Sequence, residues 1–169
     1  MQLIRDDIYY PICLDFKFHR LYIIWIANEE DDELLVNDDN RIIAFRSEDE
    51  LNTYSQNQDI ELCEDVAKYA FYKLQQWLID PYPKFEYDDF LNLWNLFTDV
   101  STSVKLEFIG DIKDEVRNSI YDKLFDASNV FIADEPNPTF EEIEIKMLKK
   151  VMQQGLDLLL NNLVIIGDE

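Results

Sequence analysis

The chain is poor in several things at once. Only 3 glycines and 5 prolines occur in 169 residues, so long flexible linkers are excluded and most of the chain is left for regular elements joined by short connections. Gly110, Gly155 and Gly167 cannot assemble a Gly-rich phosphate loop. There is one histidine, His19, and two cysteines, Cys13 and Cys63, with no CxxC and no Cys/His cluster, which removes the usual zinc spacings. The cysteines read as buried free thiols of a reducing compartment. The longest apolar runs, residues 21–27 and 156–160, fall far short of the about 20 residues of a membrane span. Residues 1–7 have one basic residue, early acids and no apolar core, unlike a signal peptide. The expectation is a cytoplasmic protein that needs neither metal nor cofactor.

Positive charge is scarce as well. Against 36 Asp and Glu stand 15 Lys and Arg, a formal −21. The basic residues are scattered, and Lys146, Lys149 and Lys150, the densest group, sit among Glu141, Glu142 and Glu144. Phosphate recognition needs stripes of Lys and Arg, so neither nucleic acid nor an anionic membrane surface is an expected partner. A surplus of anions makes the folded surface repel itself; what it offers in return is solubility and attraction to something positive.

What the chain has in quantity is apolar material. The hydrophobic fraction is 47%, with 11 Phe, 9 Tyr and 3 Trp, which an acidic disordered chain would lack. The length fits one domain, and no repeat or linker marks a boundary within residues 1–169.

Residues 8–46 read as β. Residues 8–18 alternate loosely and are β-branched and aromatic; residues 21–27 are almost continuously apolar, as in a strand buried on both faces. Residues 34–36 and 42–45 are two more short runs around Asn37-Asp38-Asp39-Asn40, a tight polar turn. His19-Arg20 and residues 28–33 would make the other reversals, giving a four-stranded antiparallel meander. After Phe45 the period becomes helical. Ser47 and Glu50 form a capping box opening a short helix to about residue 56. Asp59 caps a longer helix over 60–79, ended by Asp80-Pro81-Tyr82-Pro83. Further helices are expected over 88–100, over 110–128 and, from a Thr139–Glu142 capping box, to about residue 163. Gly155 inside the last predicts a kink or a close helix contact. Residues 104–109 and 130–133 are apolar and fit either strand or connection. Strands first and helices after (about 47–164) predict an α+β fold, a β-meander packed on a helical layer.

The acids are uneven. Residues 29–50 hold ten of them and two arginines, a net −8. Glu29, Glu30, Asp31, Asp32 and Glu33 form one group, Asp38 and Asp39 a second, Glu48 to Glu50 a third. A patch of this kind would steer a basic partner; it also fits a solvated edge that blocks strand-to-strand aggregation. The Asp38 segment lacks the Gly and the distal Glu of an EF-hand loop. With so many carboxylates, pairs of them carry no catalytic information, His19 falls on a turn, and Ser47 has a cap to make and no nearby base. No catalytic residue is assigned. A second group surrounds the proline break: Trp77, Tyr82, Phe85, Tyr87 and Phe90 with Glu86, Asp88 and Asp89. Aromatics rimmed by carboxylates suit an anchor for a Lys- or Arg-rich surface; they equally suit core filling at a helix corner. Tyr82 and Tyr87 are the two expected to be exposed.

The run from Leu34 to Leu51 is a short strand, an acidic turn, a strand ending in Ala44-Phe45, and a capped helix with Leu51 inside. It resembles small immunity proteins of bacterial toxin systems, in particular those of contact-dependent growth inhibition. The resemblance covers about residues 8–54. It implies inhibition by tight binding to a toxin domain, often a basic nuclease, with no catalysis; separately, the protein is expected to be a monomer or weak dimer. The partner-binding residues expected are Glu29 to Glu33, Asp38, Asp39, Tyr82, Glu86, Tyr87, Asp88 and Asp89. The alternative from another class is an acidic secretion chaperone that binds an effector segment; such chaperones usually open with a helix.

Overall fold

The computed structural model describes residues 7–80, 86–128 and 139–167. The fold is α+β. The chain groups into two compact units: Met1–Tyr72, Thr102–Lys105 and Asn161–Glu169 form a sheet unit, and Lys73–Ser101 with Leu106–Leu160 a helical unit.

In the sheet unit, β1 (Ile8–Asp15) and β2 (Arg20–Ala27) form a hairpin in continuous register, from Ile8 opposite Ala27 to Asp15 opposite Arg20. The last five residues of β1 are all buried, as a strand covered on both faces requires. The reversal is Phe16 to His19, one step earlier than expected; Arg20 already lies in β2. Beyond β2, Asn28 Oδ1 accepts the N–H groups of Glu30 and Asp31 (2.9 and 2.8 Å), an Asx turn that starts the return. β3 (Glu33–Leu34) then pairs antiparallel with β2, and the Leu34 N–H donates to Ser103 Oγ at 2.8 Å.

From here the antiparallel meander needs correction. Residues 36–42 leave the sheet edge as a hairpin, with Val36 bridged to Ile42 and Asn37 Oδ1 accepting from Asp39 and Arg41 (both 3.0 Å). β4 (Ile42–Ala44) pairs in parallel with β6 (Leu163–Ile165), and Phe45 returns to β2, exchanging two 2.8 Å backbone hydrogen bonds with Tyr22. The fourth strand of the main sheet is β5 (Ala67–Tyr69), parallel to β1, in the order β3-β2-β1-β5. That sheet is therefore mixed, because its β5 comes from residues far along the chain, and β4 and β6 form a second, two-stranded parallel sheet.

α1 (Glu48–Asn57) starts as its capping box predicts. The Glu50 N–H donates to Ser47 Oγ (3.1 Å), and Glu50 Oε2 accepts the N–H of Arg46 (3.2 Å). The helix expected over 60–79 is not one element. Asp59 adopts φ 55 and ends α1 instead of capping a new helix: Ile60 N–H reaches Ser55 O (2.8 Å) and Asp59 N–H reaches Gln56 O (3.3 Å), a Schellman closure. Leu62 then bridges Tyr9, the Cys63 N–H donates to Tyr9 O, and β5 follows. Unpaired donors and acceptors along β1 outweigh a helical spacing of apolar residues. Only α2 (Phe71–Ile79) remains of that helix. Ile24 and Ile26 of β2, Ile43 of β4, Phe45 and Leu51 of α1 form one buried hydrophobic cluster.

The helical unit is built from α2, α3 (Tyr87–Val104), α4 (Glu115–Ser128) and α5 (Glu142–Leu160). Residues 104–109 contain no strand: Val104 ends α3, Lys105 takes φ 59, and Ile109–Asp111 closes a 3-10 turn. That turn delays α4 to Glu115, with Asp114 Oδ1 accepting the Arg117 N–H (2.8 Å). Residues 130–133 lie outside the described residues. α5 opens two residues later than the Thr139–Glu142 box, because Glu144 Oε1 reaches back to the Glu141 N–H at 2.9 Å. It stops at Leu160, three residues early, since residues 163–165 are drawn into β6. Gly155 marks a close contact: a Cβ there would stand 2.2 Å from the buried ring of Phe97.

Candidate functional site

The sheet unit sets its charges by topology. β2 carries one reversal at each end, and the strand's eight residues separate them by roughly 25 Å. At the Ala27 end, Glu29, Glu30, Asp31, Asp32 and Glu33 are all exposed, held by the Asn28 turn. Asp38 and Asp39 are exposed at the tip of the 36–42 hairpin, whose neighbouring cation, Arg41, donates to the Leu163 carbonyl at 2.9 Å. Glu48, Asp49 and Glu50 fill the first turn of α1, where the helix dipole favours them. The first two groups flank β3, the edge strand, and the third follows β4 in the chain. This row is the candidate surface for a cationic partner.

The second predicted group lies in the helical unit. Glu86 is exposed, and its carbonyl accepts from Asp89 and Phe90. Asp88 is exposed and Asp89 half-buried, both in the first turn of α3. Burial pushes the Asp89 carboxyl up, against the pull of Lys73. Tyr87, expected to be exposed, is half-buried beside Phe140 (ring centroids 5.9 Å apart), because it sits at the start of a helix whose inner face needs apolar cover. Trp77 and Phe90 are buried edge-to-face at 4.7 Å, so both are core filling. Tyr82 and Phe85 lie outside the described residues. The two acidic groups therefore belong to different units.

Sequence reasoning missed the other end of β2. There Asp15 is 5% exposed and gathers three basic residues. Its Oδ1 accepts the Lys17 N–H (2.9 Å), its Oδ2 faces Lys68 Nζ (3.2 Å), and Arg20 Nε stands 3.8 Å from Oδ1. The Lys17 N–H and then the Lys68 ammonium hold this carboxyl below the usual carboxylate range. One register step away, Cys13 lies opposite Tyr22 on β2 and Lys68 on β5. Burial pushes the Cys13 thiol up, which a hydrogen bond with Tyr22 only partly offsets. In the sequence, the strand alternation places Cys13 and Asp15 on one face, but Lys68 joins them only through β5.

Among the described residues no group of three or more His, Cys, Asp and Glu side chains is placed to hold a metal ion. No helix among them is long and apolar enough to cross a membrane.

No family model and no curated protein sequence matches the chain. In fold the chain is similar to the C-terminal domain of SatS, whose crystal structure was determined in complex with bromine. The TM-score is 0.59 over 93% of each chain, at 10% sequence identity, a likeness of architecture alone.

Proposed function

We propose that this chain is an immunity-type protein that neutralises a basic bacterial toxin domain, a nuclease, in the cytoplasm. The observation that carries the reading is the row of exposed carboxylates at Glu29 to Glu33, Asp38 and Asp39, displayed on turns that backbone and Asn side chains hold in place. A preordered anionic row steers a cationic partner and pays little entropy on contact. The run that resembles immunity proteins, Leu34 to Leu51, builds the hairpin and the capped helix that display part of this row. Inhibition is by occupancy: carboxylates take the places that phosphates would take in a nuclease cleft, and no bond is made or broken.

The test is charge reversal at Glu30, Asp31, Asp38 and Asp39 to Lys, with binding measured against the toxin domain encoded beside the chain. Loss of affinity by about 100-fold, with a flatter salt dependence, is expected. Unchanged affinity and salt slope would remove the row from the interface. A stable dimer holding an extended effector segment would favour the secretion-chaperone alternative.

A further inference from the structure

The β1–β2 turn presents a phenylalanine to water. Phe18 is 91% exposed, although a ring of that size gains much from burial. The turn is firmly held. The Phe16 N–H donates to His19 O and the Phe18 N–H to Phe16 O, each at 3.0 Å. Lys17 takes φ 77, and its own N–H is fixed by Asp15. Phe16 is buried, with His19 stacked on it at 4.9 Å and Phe71 at 5.4 Å. The backbone thus holds the Phe18 ring outward. Around it the sign of the charge is reversed. Lys17 Nζ lies 5.5 Å from the ring centroid, and the half-exposed Arg20 and Lys68 flank the buried Asp15. Two basic side chains face one carboxylate here and a third lies over the ring, in a chain whose balance is −21.

We propose that this turn docks an acidic, amphipathic segment of a partner protein, with Phe18 entering an apolar pocket and Lys17, Arg20 and Lys68 meeting the carboxylates around it. The chemistry selects the partner. A basic surface would be repelled at this corner. At 3.8 Å the Arg20 Nε is beyond hydrogen-bond distance of Asp15, so its guanidinium can take a second carboxylate. One aromatic on a rigid turn suits a protein pocket. A lipid surface rewards several inserted apolar side chains, and this turn offers one. The turn lies at the far end of β2 from the Glu29–Glu33 turn, and its partner is acidic where the toxin is basic, so either proposal can fail alone.

The probe is a fluorescent peptide with a Leu-Trp pair flanked by Asp and Glu, compared with the same peptide carrying Lys for each acid. Anisotropy is measured at low salt. Binding of the acidic peptide is expected, falling as salt rises and weakened at least about fivefold by Phe18→Ala and by Lys17→Glu. The Lys peptide is expected to meet the acidic row instead, with an affinity that Phe18→Ala leaves unchanged. Phe18→Ala should leave the melting temperature unchanged, since the ring is almost wholly in water. Four results would overturn the proposal: no binding of the acidic peptide, equal binding by wild type and Phe18→Ala, a dimer that Phe18→Ala abolishes, or preferential binding to phosphatidylserine vesicles.

Discussion

Among the described residues the two units each bury one carboxylate, and they do so differently. In the sheet unit, Asp15 sits at a strand end, and its cationic partners Arg20 and Lys68 have half their side-chain surface in water. In the helical unit, Glu144 is 4% exposed and satisfied from three directions: the Glu141 N–H (2.9 Å), Ser119 Oγ (2.9 Å) and Lys123 Nζ (2.6 Å). Lys123 also donates to the Thr139 carbonyl at 3.0 Å and lies 5.7 Å from the Phe140 ring centroid. The first carboxylate organises a rim. The second ties the start of α5 to α4. The same contrast runs through the packing. The sheet unit is closed by strands distant in sequence, β5 and β6, whereas the helical unit is closed by tight ring contacts: Phe97 and Trp94 both meet Phe108 edge-to-face. The helical unit should therefore be the more sensitive to small changes inside it.

The largest effect expected is at Gly155. Alanine raises helix propensity by about 1 kcal/mol, but its Cβ would collide with the Phe97 ring, and overpacking of this kind costs about 1–3 kcal/mol or more. A net loss of about 2 kcal/mol in a urea titration is expected. Combining Gly155→Ala with Phe97→Leu should recover part of it. Additive losses in the double variant would show that the contact is not the cause.

Next is Glu144→Gln, which leaves Lys123 half-buried without its counter-charge; a loss of about 2 kcal/mol is expected, below the range for fully buried pairs because Lys123 keeps some water. Burial would raise the Glu144 carboxyl, yet its hydrogen bonds from Glu141, Lys123 and Ser119 outweigh that and hold it below its ordinary value. A carboxyl depressed by folding stabilises above the unfolded pKa, and that stability is lost as pH falls through the folded one. The wild type should thus lose urea resistance on the acid side of the carboxylate range, and Glu144→Gln should lose less of it there.

Asp15→Asn is expected to cost less than Glu144→Gln, since its partners are already hydrated. If thermal melts show the reverse order, the contrast between rim and interior is wrong. The smallest effect is expected at Asp59, whose φ of 55 suits glycine: Asp59→Gly should gain about 0.5 kcal/mol, and a clear loss would mean that the side chain matters more than the backbone conformation.

Much of this was readable from local signals. Ser47 and Glu50 announce α1, Asn28 and Asn37 announce the two acidic turns, and Gly155 announces a close contact, because each acts through atoms within a few residues or through its own missing side chain. The two largest errors share one cause. Residues 60–70 have apolar spacing that suits a helix, but β1 needed a partner on its outer edge, and residues 62 to 69 supplied it. Residues 163–165 look like the tail of a helix until β4 is placed beside them. The candidate site divides in the same way. The exposure of Glu29 to Glu33, Asp38 and Asp39 follows from polar turns between strands. The gathering of Lys17, Arg20 and Lys68 around Asp15 does not, because Lys68 arrives through a parallel pairing.

The sequence by itself determined the α+β class, the start of α1 and the polar turns at Asn28 and Asn37, and the excess of negative charge, since composition and short-range hydrogen bonds settle these. Only the tertiary structure decided which strands pair, which carboxylates leave water, and where an acidic chain turns a positive corner outward. Those outcomes depend on backbone groups far apart along the chain satisfying one another, and no local pattern records such a partner.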